Sequence, residues 1–464
     1  MKRVGIPAID GEEHVKCAGT HPNLLERAFN DDRPRPRERI VDFAVPQELQ
    51  TLLAELDAFV EAEIVPLQQR DDNERFFDHR REWARTDFER DGLPRPEWER
   101  LLGEVRERAD AAGFLRYALP ASVGGSDGSN LGMALIREHL ANKGLGLHND
   151  LQNESSIVGN FPVVLLVLTY GTPAQREEFL EPQLTGERRV AFGLTEPDHG
   201  SDATWLETAA ARDGDDWIIN GNKRFNTGVH TATHDLVFAR TSGEPGQARG
   251  ITAFLVPTDA RGFEVPFYWW TLNMPTDHAE VVLRDVRVPG SAVLGEEGEG
   301  LAVAQTFVHE NRIRQAASGV GAAQFCIDSS VDHARSRVAF GEPLARRQAI
   351  QWPLVELHTE AELVRTLVRK TASALDERGA VRDGGSETSA QVSMCNQRAN
   401  RLVCDAADRA MQVHGGLGYS RHLPFEHIYR HHRRYRITEG SDEIQQRRIA
   451  GHLFGFTGKK RRKN

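Results

Sequence analysis

The feature that most constrains the fold is a change of texture partway along the chain. Between Val190 and about Leu294, short β-rich runs interrupt a helical pattern that holds on both sides: Trp217-Ile218-Ile219, Leu236-Val237-Phe238, Ile251 to Val256 and Val281-Val282-Leu283. Asp213-Gly214 and Asn220-Gly221 read as turns that punctuate them. Before this block, Leu49, Leu52, Leu53, Leu56, Phe59 and Val60 mark one apolar helix face. Thr172-Pro173-Ala174-Gln175 reads as a helix start, with Thr172 capping, Pro173 at the first helical position and Gln175 closing a capping box. Helical pattern returns near Gly300 and runs to Leu453, where Ser318, Gly319 and Gly321 predict close helix–helix approach. The reading is an α+β multidomain chain: an extended lead-in over 1–40, a helical domain over 41–190, a small β domain over 191–295, a second helical domain over 296–455 and a basic tail over 456–464.

A chain of 464 residues can bury two or three cores. Its net charge of −10 argues against nucleic acid as a partner, since phosphate binding needs a cationic face. The one basic run, Lys459 to Lys463, reads as a solvated tail. Cys17, Cys326, Cys395 and Cys404 have no paired spacing, which points to reduced thiols and a cytoplasmic protein. The most apolar run, Pro162 to Leu168, is too short to cross a bilayer and reads as a buried helix, so no membrane insertion is expected. No G-x-G-x-x-G, Walker A or metal-binding spacing occurs, so any cofactor must be held in some other way. His427 and His431 stand at i, i+4 with His432 adjacent, but Arg430, Arg433 and Arg434 would repel a metal ion. A solvated or cofactor-facing helix is expected there, with no metal.

Four segments carry candidate chemistry. Phe192 to Asp202 (FGLTEPDHGSD) is a hydroxyl- and Gly-rich turn that can offer backbone N–H groups and side-chain oxygens to a polar ring edge; alone, it reads first as a helix-to-strand loop. Asn220 to Thr227 (NGNKRFNT) reads alone as a strand with a core aromatic. Arg337-Val338-Ala339-Phe340-Gly341 and Gln412-Val413-His414-Gly415-Gly416 lie in the second helical region. Tyr435 to Glu443 (YRITEGSDE) turns into a helix whose first-turn acids, Asp442 and Glu443, suit the helix dipole. Glu439, before a glycine, gains nothing from that dipole.

In this order and spacing the segments resemble the signatures of the acyl-CoA dehydrogenases, and the likeness covers about residues 45 to 455. It implies a helical N-terminal domain, a small middle β-barrel and a C-terminal four-helix bundle, with FAD as cofactor. It further implies that the Leu194 backbone, Thr195, Gly200 and Ser201 meet the flavin, with Phe192 and Phe225 beside the ring and Thr227 near its N5. Arg337 and Phe340, with Gln412, Gly415 and Gly416, would meet the dinucleotide of a neighbouring subunit, and Ser441 would also contact FAD. Glu439 falls at the position of the catalytic base, Gly440 beside the substrate, and Arg312 at the CoA portion. Some relatives carry the base just before that Arg, but Asn311 cannot act as one and Glu310 is one step out of register. The expected reaction is α,β-dehydrogenation of an acyl-CoA to the trans-2-enoyl-CoA, with an electron-transferring flavoprotein as acceptor and a homotetramer, a dimer of dimers, as assembly. An oxygen-using acyl-CoA oxidase is the alternative within the fold. His422 and His431 depart from the pattern, as do His199, Trp205, Ala339 and Glu443, and these last four keep a non-catalytic scaffold open as the alternative outside it.

Overall fold

The structure, a computed structural model, describes residues 44–149, 156–378 and 386–456. The lead-in over 1–40, Cys17 and the basic run from Lys459 lie outside those residues.

The first apolar stripe forms α1 (Gln47–Phe59), which continues through a π-turn (Val60–Ile64) into Val65–Gln69. Leu56, Val60 and Ile64 are sealed against Trp98, Leu101 and Val105 of α2 (Pro96–Ala111) and Met133, Ile136 and Leu140 of α3 (Asn130–Asn142). The apolar run becomes α4 (Pro162–Tyr170), buried as its composition requires. The capping box forms at the start of α5 (Pro173–Thr185), where the Thr172 hydroxyl accepts from Gln175 N–H and the Gln175 carboxamide accepts from Thr172 N–H.

The β block is a curled seven-stranded sheet: β1 (Val190–Gly193), β2 (Ala209–Asp213), β3 (Asp216–Thr227), β4 (His234–Arg240), β5 (Ile251–Pro257), β6 (Phe263–Tyr268) and β7 (His278–Pro289). β1 runs parallel to β4; β3 pairs antiparallel with β2 on one edge and β7 on the other. Gly214, at a φ of 64°, makes the tight β2–β3 turn expected at Asp213-Gly214. Asn220-Gly221 is not a turn. It is an irregularity inside β3, because a Cβ on Gly221 would lie 2.4 Å from the Thr208 hydroxyl oxygen and the backbone must adopt a φ of 152°. The Asn220 side chain bonds Asp285 across the sheet instead of closing a turn.

The second helical region holds α6 (Gly300–Ser336), α7 (Gln348–Arg378), α8 (Ser386–His414), α9 (Phe425–Arg433) and α10 (Asp442–Leu453). The small residues act as expected. A Cβ on Gly321 would stand 2.1 Å from the Glu138 carbonyl oxygen of α3, and one on Gly319 would stand 3.3 Å from that of Ala399 in α8. One core binds α3, α6, α7, α8 and α9 together. A separate core joins α4, α5, β4, β5 and α6, with Phe192 and Leu194 packed against its edge. That junction places the first motif against α6.

Candidate active site

The first two motifs are stitched together from below. Glu196 is buried and accepts from the N–H of Glu207 (2.5 Å), the N–H of Thr208 (2.9 Å) and Lys223 Nζ (2.7 Å). Lys223 has no exposed surface and also donates to the Leu194 carbonyl at 3.3 Å. Burial pulls the Glu196 carboxyl up, but the Lys223 charge and the surrounding donors hold it below its ordinary range. The Arg224 N–H donates to the Thr195 carbonyl at 2.8 Å. A side chain on Gly193 would meet the Asn226 amide at 2.7 Å, so that strand end must stay bare. Asn226 in turn donates to buried Asp235, whose carboxyl burial pushes up to about 7. The Glu of the Thr-Glu-Pro turn is therefore the anchor of the loop, while Thr195 stays half-buried and Gly200 and Ser201 stay exposed.

At Arg224/Asn226 the β3–β7 register shifts, and Phe225 takes a left-handed φ of 63°. Its ring is 47% exposed and leans on Trp269 at 5.5 Å between centroids. It is a surface aromatic, not a core one, as a residue serving a planar ligand must be. Thr227 beside it is exposed. Phe192 stacks on Phe307 of α6 at 4.0 Å.

The Glu439 loop is held by α6 and α10. Arg312 Nε donates to the Glu439 carbonyl at 2.8 Å and Nη2 donates to the same oxygen. Gln445 Nε2 donates to the carbonyls of Glu439 (3.2 Å) and Gly440 (2.9 Å). Glu439 has a left-handed φ of 50°, and a Cβ on Gly440 would sit 2.9 Å from Arg312 Nη2. With its carbonyl turned onto Arg312, the residue leaves one carboxylate oxygen, Oε2, buried with no hydrogen-bond partner among the described residues. Arg312, expected at CoA, is 3% exposed; the loop occupies its Nε and Nη2, while Nη1 is buried with no hydrogen-bond partner among the described residues. Burial, with the nearby Arg448 charge, lowers its pKa to about 9. Asn311 accepts from Asn160 at 2.7 Å, and the side chain of Glu310 lies outside what the structure describes. Ser441 is the N-cap residue of α10, and Asp442 is buried between Arg401 (2.9 Å) and Arg436 (3.0 Å).

The third motif is not gathered into this loop within one chain. Val338–Ala339 pairs with Glu342–Pro343, and Phe340 (φ 55°) and Gly341 (φ 81°) form the hairpin turn, with Phe340 97% exposed. Arg337, Gln412, Gly415 and Gly416 are exposed too, and no atom lies within 4 Å of a Cβ built at either glycine. The histidines of α9 are fully buried, which overturns the solvated half of the expectation of a solvated or cofactor-facing helix. His427 stacks on His79 at 4.2 Å, and the Arg430 guanidinium is turned outward onto Glu82 and Glu426.

These residues fit a flavin dinucleotide. Exposed hydroxyls at Ser201 and Thr227 and an aromatic turned outward at Phe225 are donors and a surface suited to the ring, and Gly415 and Gly416 leave bare backbone that a dinucleotide can approach. Sequence reasoning missed Lys223 and Asp235. Alternation along β3 places Lys223 on the inward face with Trp217 and Ile219, a signal that was there to read.

Three family models match in order: the N-terminal domain of acyl-CoA dehydrogenase over residues 46–187, the middle domain over 191–286 and the C-terminal domain over 298–454. Subunit CarC of the caffeyl-CoA reductase–Etf complex of Acetobacterium woodii is 30% identical over 76% of this chain and 89% of its own length. Human mitochondrial short-chain specific acyl-CoA dehydrogenase is 29% identical over 88% of this chain and 91% of its own. The solved structure of butyryl-CoA dehydrogenase from Megasphaera elsdenii superposes with a TM-score of 0.73 at 28% identity, covering 89% of this chain and all of that one. The chain therefore belongs to the acyl-CoA dehydrogenase family of FAD-dependent oxidoreductases.

Proposed function

We propose that this protein oxidises an acyl-CoA thioester at its α and β carbons to the trans-2-enoyl-CoA, with Glu439 as the base. The observation that carries the reading is the Glu439 loop: a strained backbone pinned by Arg312 and Gln445, presenting a buried carboxylate oxygen that has no hydrogen-bond partner among the described residues. A carboxylate kept free of partners in a polar-lined loop is suited to take a proton from carbon.

Bound FAD would supply the hydride acceptor. Residues suited to hold it are Leu194, Thr195, Gly200, Ser201 and Thr227 at the ring, with Phe192 and Phe225 beside it and Ser441 at the loop. Arg337, Phe340, Gln412, Gly415 and Gly416 would serve the dinucleotide of a second subunit. Glu439 Oε2 takes the α proton. The Glu439 N–H, which has no partner among the described residues, donates to the thioester carbonyl beside Gly440 as enolate charge develops. Arg312 acts through the backbone: by holding the Glu439 carbonyl it aims both groups.

The exposed Phe340 hairpin and Gln412 end support a homo-oligomer, a dimer of dimers. An electron-transferring flavoprotein as acceptor is supported by the Etf-complex relative. The three described cysteines are buried and free, which supports a cytoplasmic setting, and among the described residues no helix is long and apolar enough to cross a membrane. The same relative favours a second reading, in which the site runs in reverse as an enoyl-CoA reductase. Turnover of Glu439→Gln with acyl-CoA and an artificial acceptor tests the assignment. Loss of turnover with FAD retained is expected, and near-normal turnover overturns it.

A further inference from the structure

Behind Thr227 lies a pair of side chains that the proposed reaction does not yet use. Thr227 and His278 are directly opposed residues of the β3–β7 ladder, and the Thr227 hydroxyl lies 3.2 Å from His278 Nδ1. The same nitrogen is 3.0 Å from Asp277 Oδ1. Both side chains are largely shielded, with 19% of His278 and 34% of Asp277 exposed. The backbone on either side is fixed, since Gly228 N–H donates to the Asp277 carbonyl at 2.9 Å and Trp269 N–H to that of His278 at 2.8 Å.

This arrangement has a direction. An ionised carboxylate only accepts, and its oxygen 3.0 Å from Nδ1 favours a proton on that nitrogen over a lone pair. That one N–H is shared between Asp277 Oδ1 and Thr227 Oγ1, so toward Thr227 the nitrogen donates and offers no lone pair. The hydroxyl hydrogen of Thr227 is then left to point elsewhere. Its one other acceptor among the described residues is the Phe225 carbonyl at 3.5 Å, the outer limit of a hydrogen bond. Burial pulls the Asp277 carboxyl up, but His278, with His230 and Arg434 from other elements, holds it below its ordinary range; Tyr268 of β6 also acts on it.

We propose that Asp277 and His278 form a positioning pair that fixes the hydroxyl hydrogen of Thr227 outward, as a donor to the flavin N5. The proposal rests on the FAD-dependent reading above and extends it by two residues that no motif contains. A fixed donor at N5 strengthens the flavin as hydride acceptor, whereas a freely rotating hydroxyl would spend part of its time as an acceptor.

The test uses FAD-loaded protein and reads the two-electron flavin potential against a reference dye, together with 15N spectra of histidine-labelled protein. His278→Leu and Thr227→Val are each expected to lower the reduced-to-oxidised flavin ratio at a fixed dye potential roughly fivefold to tenfold, one hydrogen bond's worth. The double variant should add nothing further. His278→Asn, which keeps an N–H donor close to the Nδ1 position, should restore the ratio. Asp277→Asn should move the neutral imidazole's proton to Nε2 and lower the ratio with the ring still in place. Additive single effects, a His278→Leu ratio equal to wild type, or a wild-type Nδ1 without a proton would each overturn the pair. Protein that takes up no FAD would instead overturn the dehydrogenase reading, and the 15N measurement on that same protein would still decide the Asp277–His278 geometry.

Discussion

Removing the Lys223 charge tests the frame beneath the flavin turn. Lys223→Met would strip the countercharge from Glu196, which is 4% exposed and 2.7 Å from Nζ, and leave a carboxylate with two backbone donors. Breaking one side of a buried ion pair costs about 3–5 kcal/mol, and the two remaining N–H donors put this case near the lower figure. At ~2.1 cal/mol/K of unfolding entropy per residue, a body of this size shifts by roughly 1.2 °C per kcal/mol, so the melting point should fall by about 4 °C. FAD should also bind more weakly, because Lys223 holds the Leu194 carbonyl of the same turn. Replacing both partners, Glu196→Gln with Lys223→Met, removes the charge and should recover most of the loss. The assay is thermal release of FAD followed by flavin fluorescence, with FAD affinity measured on the apoprotein. A single variant within about 1 °C of wild type, or a double variant no better than the single, would refute the reasoning.

Other predictions follow from the same contacts. Burial, helped by neighbouring arginine charge, holds His79 and His432 at pKa values of about 3, below the ~6.5 of an unfolded chain, so below pH 6.5 the unfolded state binds more protons and stability falls with pH. With the slope for each imidazole rising from half its full ~1.4 kcal/mol per pH unit at pH 6.5, lowering the pH from 6.5 to 5 should cost about 3 kcal/mol between them. A melting point that stays flat over that range contradicts the burial argument. Arg312→Lys keeps a cation but loses the fork, and should lower kcat about 10- to 100-fold with FAD content unchanged; a selective rise in KM for CoA esters would mean that Arg312 reads the substrate directly. Phe340→Ala should weaken subunit association and FAD retention together in sedimentation and absorbance measurements, while an unchanged assembly would place the hairpin away from any interface.

The α–β–α order was legible because periodicity survives without tertiary context, and the capping box at Thr172 is wholly local. Asn220-Gly221 misled because the same dipeptide serves a turn or a strand irregularity, and Thr208 crowding Gly221 decides between them. The α9 histidines were expected on a solvated or cofactor-facing helix beside Arg430, Arg433 and Arg434, yet all three are buried, His427 against His79, a residue far away in sequence, and His431 and His432 against Tyr435. Glu439 was visible through its motif. That Arg312 grips its carbonyl was not, since the contact crosses from α6 to a loop 127 residues on. The His278–Thr227 contact likewise arises from strand register between segments 51 residues apart.

The central claim is that Glu439 stands ready to take a proton from an acyl-CoA, and anaerobic titration of the yellow protein with acyl-CoAs of graded chain length tests it most directly. Wild type should lose its flavin absorbance at one mole of a fitting substrate per mole of FAD, and Glu439→Gln should bind the same ester with its colour intact. Bleaching of the variant at the wild-type rate, or no bleaching of wild type by any acyl-CoA, would contradict the account.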